Sequence, residues 1–149
     1  MIHYKVGDIL QNVKTGVLLH SVNCIGVMGA GVAKGIKELY PSTFQIYRAH
    51  CTALKSSALG DVLPTKQGDL KILNAFAQET VSGTRAVSYD AIDTVFHTIY
   101  CTSEFDSINK DIHTVKIGAG LGGGSWKVIE QIILTHLPAH CNLYVWDFK

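Results

Sequence analysis

Val17-Leu18-Leu19-His20-Ser21-Val22-Asn23-Cys24-Ile25-Gly26-Val27-Met28-Gly29-Ala30-Gly31-Val32-Ala33-Lys34-Gly35-Ile36 is the stretch whose reading decides the fold. It opens as an apolar run, turns polar at His20, Ser21 and Asn23, passes through a glycine-rich segment and resumes with apolar residues at helical spacing. That order reads as strand, loop and helix N-terminus. Glycines let backbone approach a ligand closely. The free N–H groups and the dipole at a helix start favour an anion. The stretch therefore predicts a phosphate-binding turn.

A second segment of the same kind lies about a hundred positions downstream. Residues 113–117 read as a strand that runs into Gly118-Ala119-Gly120-Leu121-Gly122-Gly123-Gly124. Ser125 then caps a helix carrying Val128, Ile129, Ile132, Ile133 and Leu137, ended by Pro138. In open α/β sheets ligands bind beyond the carboxyl ends of the strands. If the two strands are neighbours, both helix starts face one crevice, which suits a ligand with more than one phosphate.

The rest of the chain supplies the frame. Residues 2–6 form a short strand ending at Gly7-Asp8, and residues 12–16 read as a turn. Val32, Ala33, Ile36, Leu39 and Tyr40 mark a helix face that Pro41 stops. Ser42 or Thr43 is suited to cap the next helix, with Phe44, Tyr47 and Cys51 on its apolar face. Residues 59–64 and 70–77 read as strands joined by a Gln67-Gly68-Asp69 turn, and residues 78–86 as a surface loop. Ile92, Val95, Phe96, Ile99 and Tyr100 recur at helical spacing, residues 105–111 form a loop, and residues 141–146 a last buried strand. Strands alternating with helices give an α/β fold with a mixed, largely parallel sheet.

Composition bounds the function. The 149 residues suit one domain, residues 1–149, and the net charge of +1 with 13 dispersed basic residues argues against a large nucleic-acid footprint. No run reaches the length of a membrane span, and the N-terminus lacks a signal-peptide pattern. Cys24, Cys51, Cys101 and Cys141 stand singly in apolar surroundings, which reads as buried free thiols and a reducing cytoplasm. Among the histidines outside the first glycine segment, His136 and His140 are four apart but separated by Pro138, so no metal and no organic cofactor is expected. The named nucleotide motifs also fail. Lys34 stands where a dinucleotide fingerprint needs its last glycine, and Val32 replaces the lysine of a P-loop.

His20-Ser21-Val22-Asn23-Cys24 followed by Gly26-Val27-Met28-Gly29-Ala30-Gly31-Val32-Ala33, and later Ile117-Gly118-Ala119-Gly120-Leu121-Gly122-Gly123-Gly124-Ser125-Trp126, resemble the macro domain. The likeness extends over essentially the whole chain, including the Gly7-Asp8-Ile9 turn and the terminal strand. It is nearest the branch holding yeast-type ADP-ribose-1″-phosphate phosphatases, terminal ADP-ribose glycohydrolases and phage relatives. The resemblance implies a three-layer α/β/α sandwich that takes ADP-ribose or ADP-ribose 1″-phosphate, with ADP-ribosylated macromolecules as further partners; from the chain itself, no membrane contact and a monomeric state are expected.

It also implies roles for individual residues. Asp8 would accept from the adenine amino group, with the Ile9 backbone beside it; the alternative is a turn aspartate capping its own backbone. Asn23 would bond the distal ribose hydroxyls, since a carboxamide offers both donor and acceptor. Gly29, Ala30, Gly31 and Val32 would give N–H groups to the diphosphate. Gly118, Ala119, Gly120, Leu121, Gly122 and Gly123 would wrap the phosphates and distal ribose from the other side. Trp146 or Phe148 would lie against adenine, unless either belongs to the core. His20 matches a catalytic histidine of the phosphatases, able to relay a proton or activate water; the alternative is a strand-end histidine held by hydrogen bonds.

The departures from that family pattern limit the chemistry. The glycohydrolase branch uses a lysine after the central strand, where this chain reads Ala75-Phe76-Ala77-Gln78-Glu79, and an acid in the second glycine loop, where it has Gly122-Gly123-Gly124. Ser125 stands where many relatives have an aspartate before the tryptophan. Glu79 and Asp90 could substitute only if the intervening loop folds over the site. The expectation is therefore phosphatase action on ADP-ribose 1″-phosphate, with ADP-ribosyl hydrolysis and non-catalytic ADP-ribose reading as the alternatives.

Overall fold

The apolar runs of the sequence pair side by side. The computed structural model describes residues 1–80, 87–106, 111–120 and 122–148. In chain order the elements are β1 (Ile2–Val6), α1 (Ile9–Asn12), β2 (Gly16–Asn23), α2 (Gly31–Leu39), α3 (Pro41–Leu54), β3 (Val62–Gln67), β4 (Leu70–Gln78), α4 (Tyr89–Cys101), β5 (Asp111–Thr114), α5 (Trp126–His136) and β6 (Asn142–Asp147). The six strands lie in the order β1-β6-β5-β2-β4-β3. All neighbours are parallel except β3 and β4, which pair antiparallel across the Gly68 turn.

Strand alternation builds two cores, one on each face of the sheet. Val17 and Leu19 of β2 point to the side of α4 and α5 and pack with Ile92, Val95, Phe96, Ile129 and Ile133. Leu18 points the other way, into a cluster with Ile9, Val13 and Ile36, while Val22 joins Phe44, Tyr47, Cys51 and Phe76 under α3. The result is a three-layer α/β/α sandwich, as the family resemblance implied, around the mixed, largely parallel sheet that the alternation of strands and helices implied. Gly35 lets α2 lie close on α1: a Cβ there would come within 2.3 Å of the Leu10 side chain.

The structure corrects several local expectations. The segment after Asp8 is a short helical turn, α1, which four residues give too little periodicity to reveal. Tyr40 is the N-cap of α3 and Pro41 opens it, so Ser42 and Thr43 are helical and cap nothing; proline suits a first turn because its missing N–H has no helical acceptor there. β5 ends at Thr114, so Val115, Lys116 and Ile117 belong to the loop. Leu39 and Val128, expected on buried faces, are exposed. All four cysteines are free, yet Cys101 is exposed while the other three are buried. The 81–86 part of the expected surface loop, and 107–110 of the next, lie outside the described residues.

Phe96 is fully buried and stacks on Tyr100 at 6.2 Å between centroids. Phe96→Ala should cost about 3–5 kcal/mol in urea unfolding, the usual range for emptying an aromatic core position; a loss below about 1 kcal/mol would show that α4 is not packed as described.

Candidate functional site

Parallel pairing of β2 with β5, with Val17 opposite Ile112 and Leu19 opposite Thr114, carries both strands' carboxyl ends to the same edge. Thr114 ties them further by donating its hydroxyl to the Leu19 carbonyl at 2.7 Å. Both glycine segments leave from that edge and line one cleft of ≈ 560 Å³, a volume in the usual range for small-molecule sites. Asn23, Gly29, Ala30, Gly31 and Val32 line it from the first segment, Gly118, Gly120 and Gly122 from the second, and His20 from β2 itself. Ala119 and Gly123 belong to the second loop without lining the cleft, and Leu121 lies outside the described residues.

The first wall is the start of α2. Its N-cap, Ala30, makes no side-chain capping bond. The N–H groups of Gly31, Val32 and Ala33 are those that a helix's first turn leaves without an intrahelical acceptor, and all three residues line the cleft. They are well suited to an anion. Asn23 braces this wall from behind. Its Oδ1 accepts from Ile25 N–H at 3.1 Å, Val27 N–H at 3.3 Å and the Tyr47 hydroxyl at 2.7 Å, while Nδ2 donates to the Val27 carbonyl at 2.7 Å. The acceptor side of the carboxamide is thus spent on the loop, and only the second Nδ2 proton is available for a ligand hydroxyl.

The second wall is a knot of backbone. Gly124 N–H donates to Gly118 O at 2.8 Å, Gly123 N–H to Gly120 O at 3.1 Å, and Val87 N–H to Gly122 O at 3.1 Å. Gly118 sits at φ +75, and a Cβ on it would lie 2.7 Å from the Val87 side chain. A side chain is excluded there both by conformation and by space.

His20 is 1% exposed. Its Nε2 lies 2.6 Å from Asn74 Oδ1, and Asn74 Nδ2 donates to Leu63 O at 2.9 Å and Thr65 Oγ1 at 3.3 Å. Those two donations fix the amide so that its oxygen faces His20, which puts the imidazole proton on Nε2 and leaves the lone pair on Nδ1. Nδ1 has no partner among the described residues. Burial drives the imidazole pKa down to about 4, against a smaller upward pull from the Asn74 bond. At neutral pH His20 is therefore a neutral ring with a bare acceptor. Sequence reasoning did not single out Asn74, whose apolar surroundings in β4 gave no sign of a partner.

None of the residues expected at the adenine end, Asp8, Ile9, Trp146 and Phe148, lines this cleft. Asp8 is the N-cap of α1, accepting from Leu10 N–H at 2.9 Å, so the self-capping alternative holds for at least one oxygen. Ile9 is buried in the cluster that also holds Leu10, Trp146 and two cleft residues, Val32 and Val115. Trp146 packs over Gly7 and donates its Nε1 proton to His113 Nδ1 at 3.0 Å. Phe148 is 78% exposed. Ser125 is the N-cap of α5, as expected. Glu79 lines a separate pocket beside Arg48 and Lys55, and Asp90 lies in the first turn of α4. Among the described residues no carboxylate lines the cleft, whereas Lys116 does, held 3.5 Å from Asp147. Lys116 and Gln78 escaped the sequence reading because one was counted into a strand and the other into a loop.

Because the folded state keeps His20 neutral, the unfolded chain binds the extra proton between pH 6.5 and about 4. Its contribution is fully present above pH 6.5 and is lost as pH falls toward 4. At about 1.4 kcal/mol per pH unit this amounts to a loss on the order of 3 kcal/mol. His113 is also pushed down, by burial and by Lys5, and acts in the same direction. Denaturant unfolding as a function of pH should show a clearly shallower acid slope in His20→Gln than in the wild type; equal slopes would mean that His20 is not held neutral by the fold.

The macro domain family model matches residues 19–133. An ADP-ribose 1″-phosphate phosphatase of Neosartorya fischeri is 45% identical over 51 residues, 34% of this chain and 26% of that protein. A DNA ADP-ribosyl glycohydrolase of Mycobacterium tuberculosis is 29% identical over 140 residues, 91% of this chain and 38% of the relative. The chain thus spans well under half the length of these curated relatives. Among solved structures, the macrodomain of Mycobacterium tuberculosis DarG superposes with a TM-score of 0.83 at 25% identity, covering 100% of this chain and 99% of that one. With the family model matching most of its length and the α/β/α fold in agreement, the chain belongs to the macro domain family.

Proposed function

We propose that the chain binds ADP-ribose-type ligands in the cleft between its two glycine loops and hydrolyses ADP-ribose 1″-phosphate to ADP-ribose and phosphate. The observation that supports this reading is the convergence of α2's first-turn N–H groups, the second glycine loop and His20, whose buried Nδ1 has no partner, on one cleft that no carboxylate among the described residues lines. Backbone donors fixed before the ligand arrives stabilise phosphate charge without reorganising during the reaction. His20 Nδ1 accepts a proton from the attacking water as its oxygen bonds to phosphorus. The P–O bond to the 1″ oxygen breaks, and the proton passes to that oxygen. A base of low pKa is weak, but an arriving phosphate dianion favours the imidazolium and raises it. The local similarity to fungal proteins named as ADP-ribose 1″-phosphate phosphatases supports this reading.

The longer alignment favours a second one. The Mycobacterium tuberculosis relative that aligns over most of this chain is named a DNA ADP-ribosyl glycohydrolase. In that reading the cleft holds an ADP-ribosyl group still attached to a macromolecule, and the bond that breaks is glycosidic.

Calorimetry should give a micromolar Kd for ADP-ribose and at least tenfold weaker binding of ATP and NAD. Phosphate release from ADP-ribose 1″-phosphate should fall by about 10²–10⁴-fold in His20→Ala, with ADP-ribose affinity kept within about threefold. Release of ADP-ribose from a modified oligonucleotide, with no phosphate release, would replace the first reading by the second. Binding without either activity would leave a reader of ADP-ribose.

A further inference from the structure

We propose that His97, Cys101 and His136 form a zinc site that clips the carboxyl ends of α4 and α5 together, at the end of the molecule away from the cleft. Asp93, His97 and Cys101 follow one another at four-residue steps along α4, which places them on one helix face. His136 is the last residue of α5. The fold brings the ligand atoms of His97, Cys101 and His136 within 4.8 Å of one another. The sequence reading set metal aside on the spacing of His136 and His140, but the partners of His136 are on another helix.

The distances suit a metal. Cys101 Sγ and His136 Nδ1 are 3.6 Å apart. With Zn–S near 2.3 Å and Zn–N near 2.0–2.1 Å, two ligands at the tetrahedral angle stand about 3.6 Å apart. The other nitrogen of His136, Nε2, is 2.7 Å from Asp93 Oδ1. That carboxylate sets the tautomer that leaves Nδ1 bare on the Cys101 side, the usual support of a metal-bound histidine. The His97 ring meets His136 edge-on, at 5.6 Å and 72°. A thiol–imidazole–carboxylate relay would give His97 no task, whereas a metal uses all three groups.

Two imidazoles and one thiolate select a borderline-soft ion over calcium or magnesium. Both helices end at this place, and the carbonyl ends of two helix dipoles favour a cation. Three protein ligands leave a fourth position for water. At about 1.5 Å per residue, the length of α4 sets His97 and Cys101 roughly 12–18 Å from its N-terminal end, so the ion acts on the α4–α5 pair and takes no part in the cleft chemistry. It would hold in place the two helices whose N-termini flank the second glycine loop.

The test uses the full chain, stripped with a chelator and titrated with zinc alone by calorimetry, then with cobalt(II) followed by absorption. One zinc per chain is expected, with a rise in Tm, and cobalt should give tetrahedral d–d bands and a thiolate charge-transfer band. Cys101→Ser should abolish the charge-transfer band, and Cys101→Ser and His97→Ala should each weaken zinc binding at least tenfold, while His140→Ala should leave it unchanged. Far-UV circular dichroism verifies that each variant is folded; the two cluster positions substituted are exposed, so neither change empties the core. No saturable uptake of zinc at micromolar concentration would overturn the proposal, as would uptake undiminished in both cluster variants.

Discussion

The adjacency of β2 and β5 is the constraint on which the rest of this structure depends. Two glycine segments far apart in sequence become one cleft only because their strands are parallel neighbours, in register from Val17 opposite Ile112 to Leu19 opposite Thr114. A shift of one residue would turn Val17 and Leu19 out of the α4–α5 core and put Leu18 and His20 in their place. The Thr114 hydroxyl on the Leu19 carbonyl fixes the same register by a buried hydrogen bond. Core packing and cleft geometry are therefore set by one interaction.

The cleft itself works by what has been kept out of it. No carboxylate lines it among the described residues, its first wall is an uncapped helix start, and its second wall is backbone that cannot tolerate a Cβ at Gly118. The polar side chains near it are largely occupied. Asn23 holds its own loop, and Asn74 holds His20. His20 is the exception, since the same bond that orients it leaves Nδ1 as an unpaired acceptor in a dry place. An unpaired buried acceptor costs stability, and a ligand phosphate or its attacking water is the kind of partner that would relieve it.

Much of this was legible in the sequence. Apolar runs and helical spacing gave the α/β class and the six strands, four of them to within a residue and β3 and β5 displaced by two or three, and the paired glycine segments pointed to one shared crevice. What escaped was of two kinds. Short or capped elements such as α1 and the start of α3 depend on a few backbone bonds that leave no periodic signal. Contacts made across the fold, such as Asn74 with His20 or Cys101 with His136, join residues whose sequence neighbours say nothing about them. The roles of Asp8, Trp146 and Phe148 came from family resemblance; the fold packs Trp146 with the cleft residues Val32 and Val115, makes Asp8 the N-cap of α1, and leaves Phe148 exposed.

The most direct test is an amide-resolved NMR titration with ADP-ribose. A single ligand gripped by both walls should move the amide signals of Gly29, Ala30, Gly31 and Val32 together with those of Gly118, Gly120 and Gly122, along one binding curve with one Kd. Shifts confined to one loop, or two loops titrating with different midpoints, would contradict the shared cleft as the binding site.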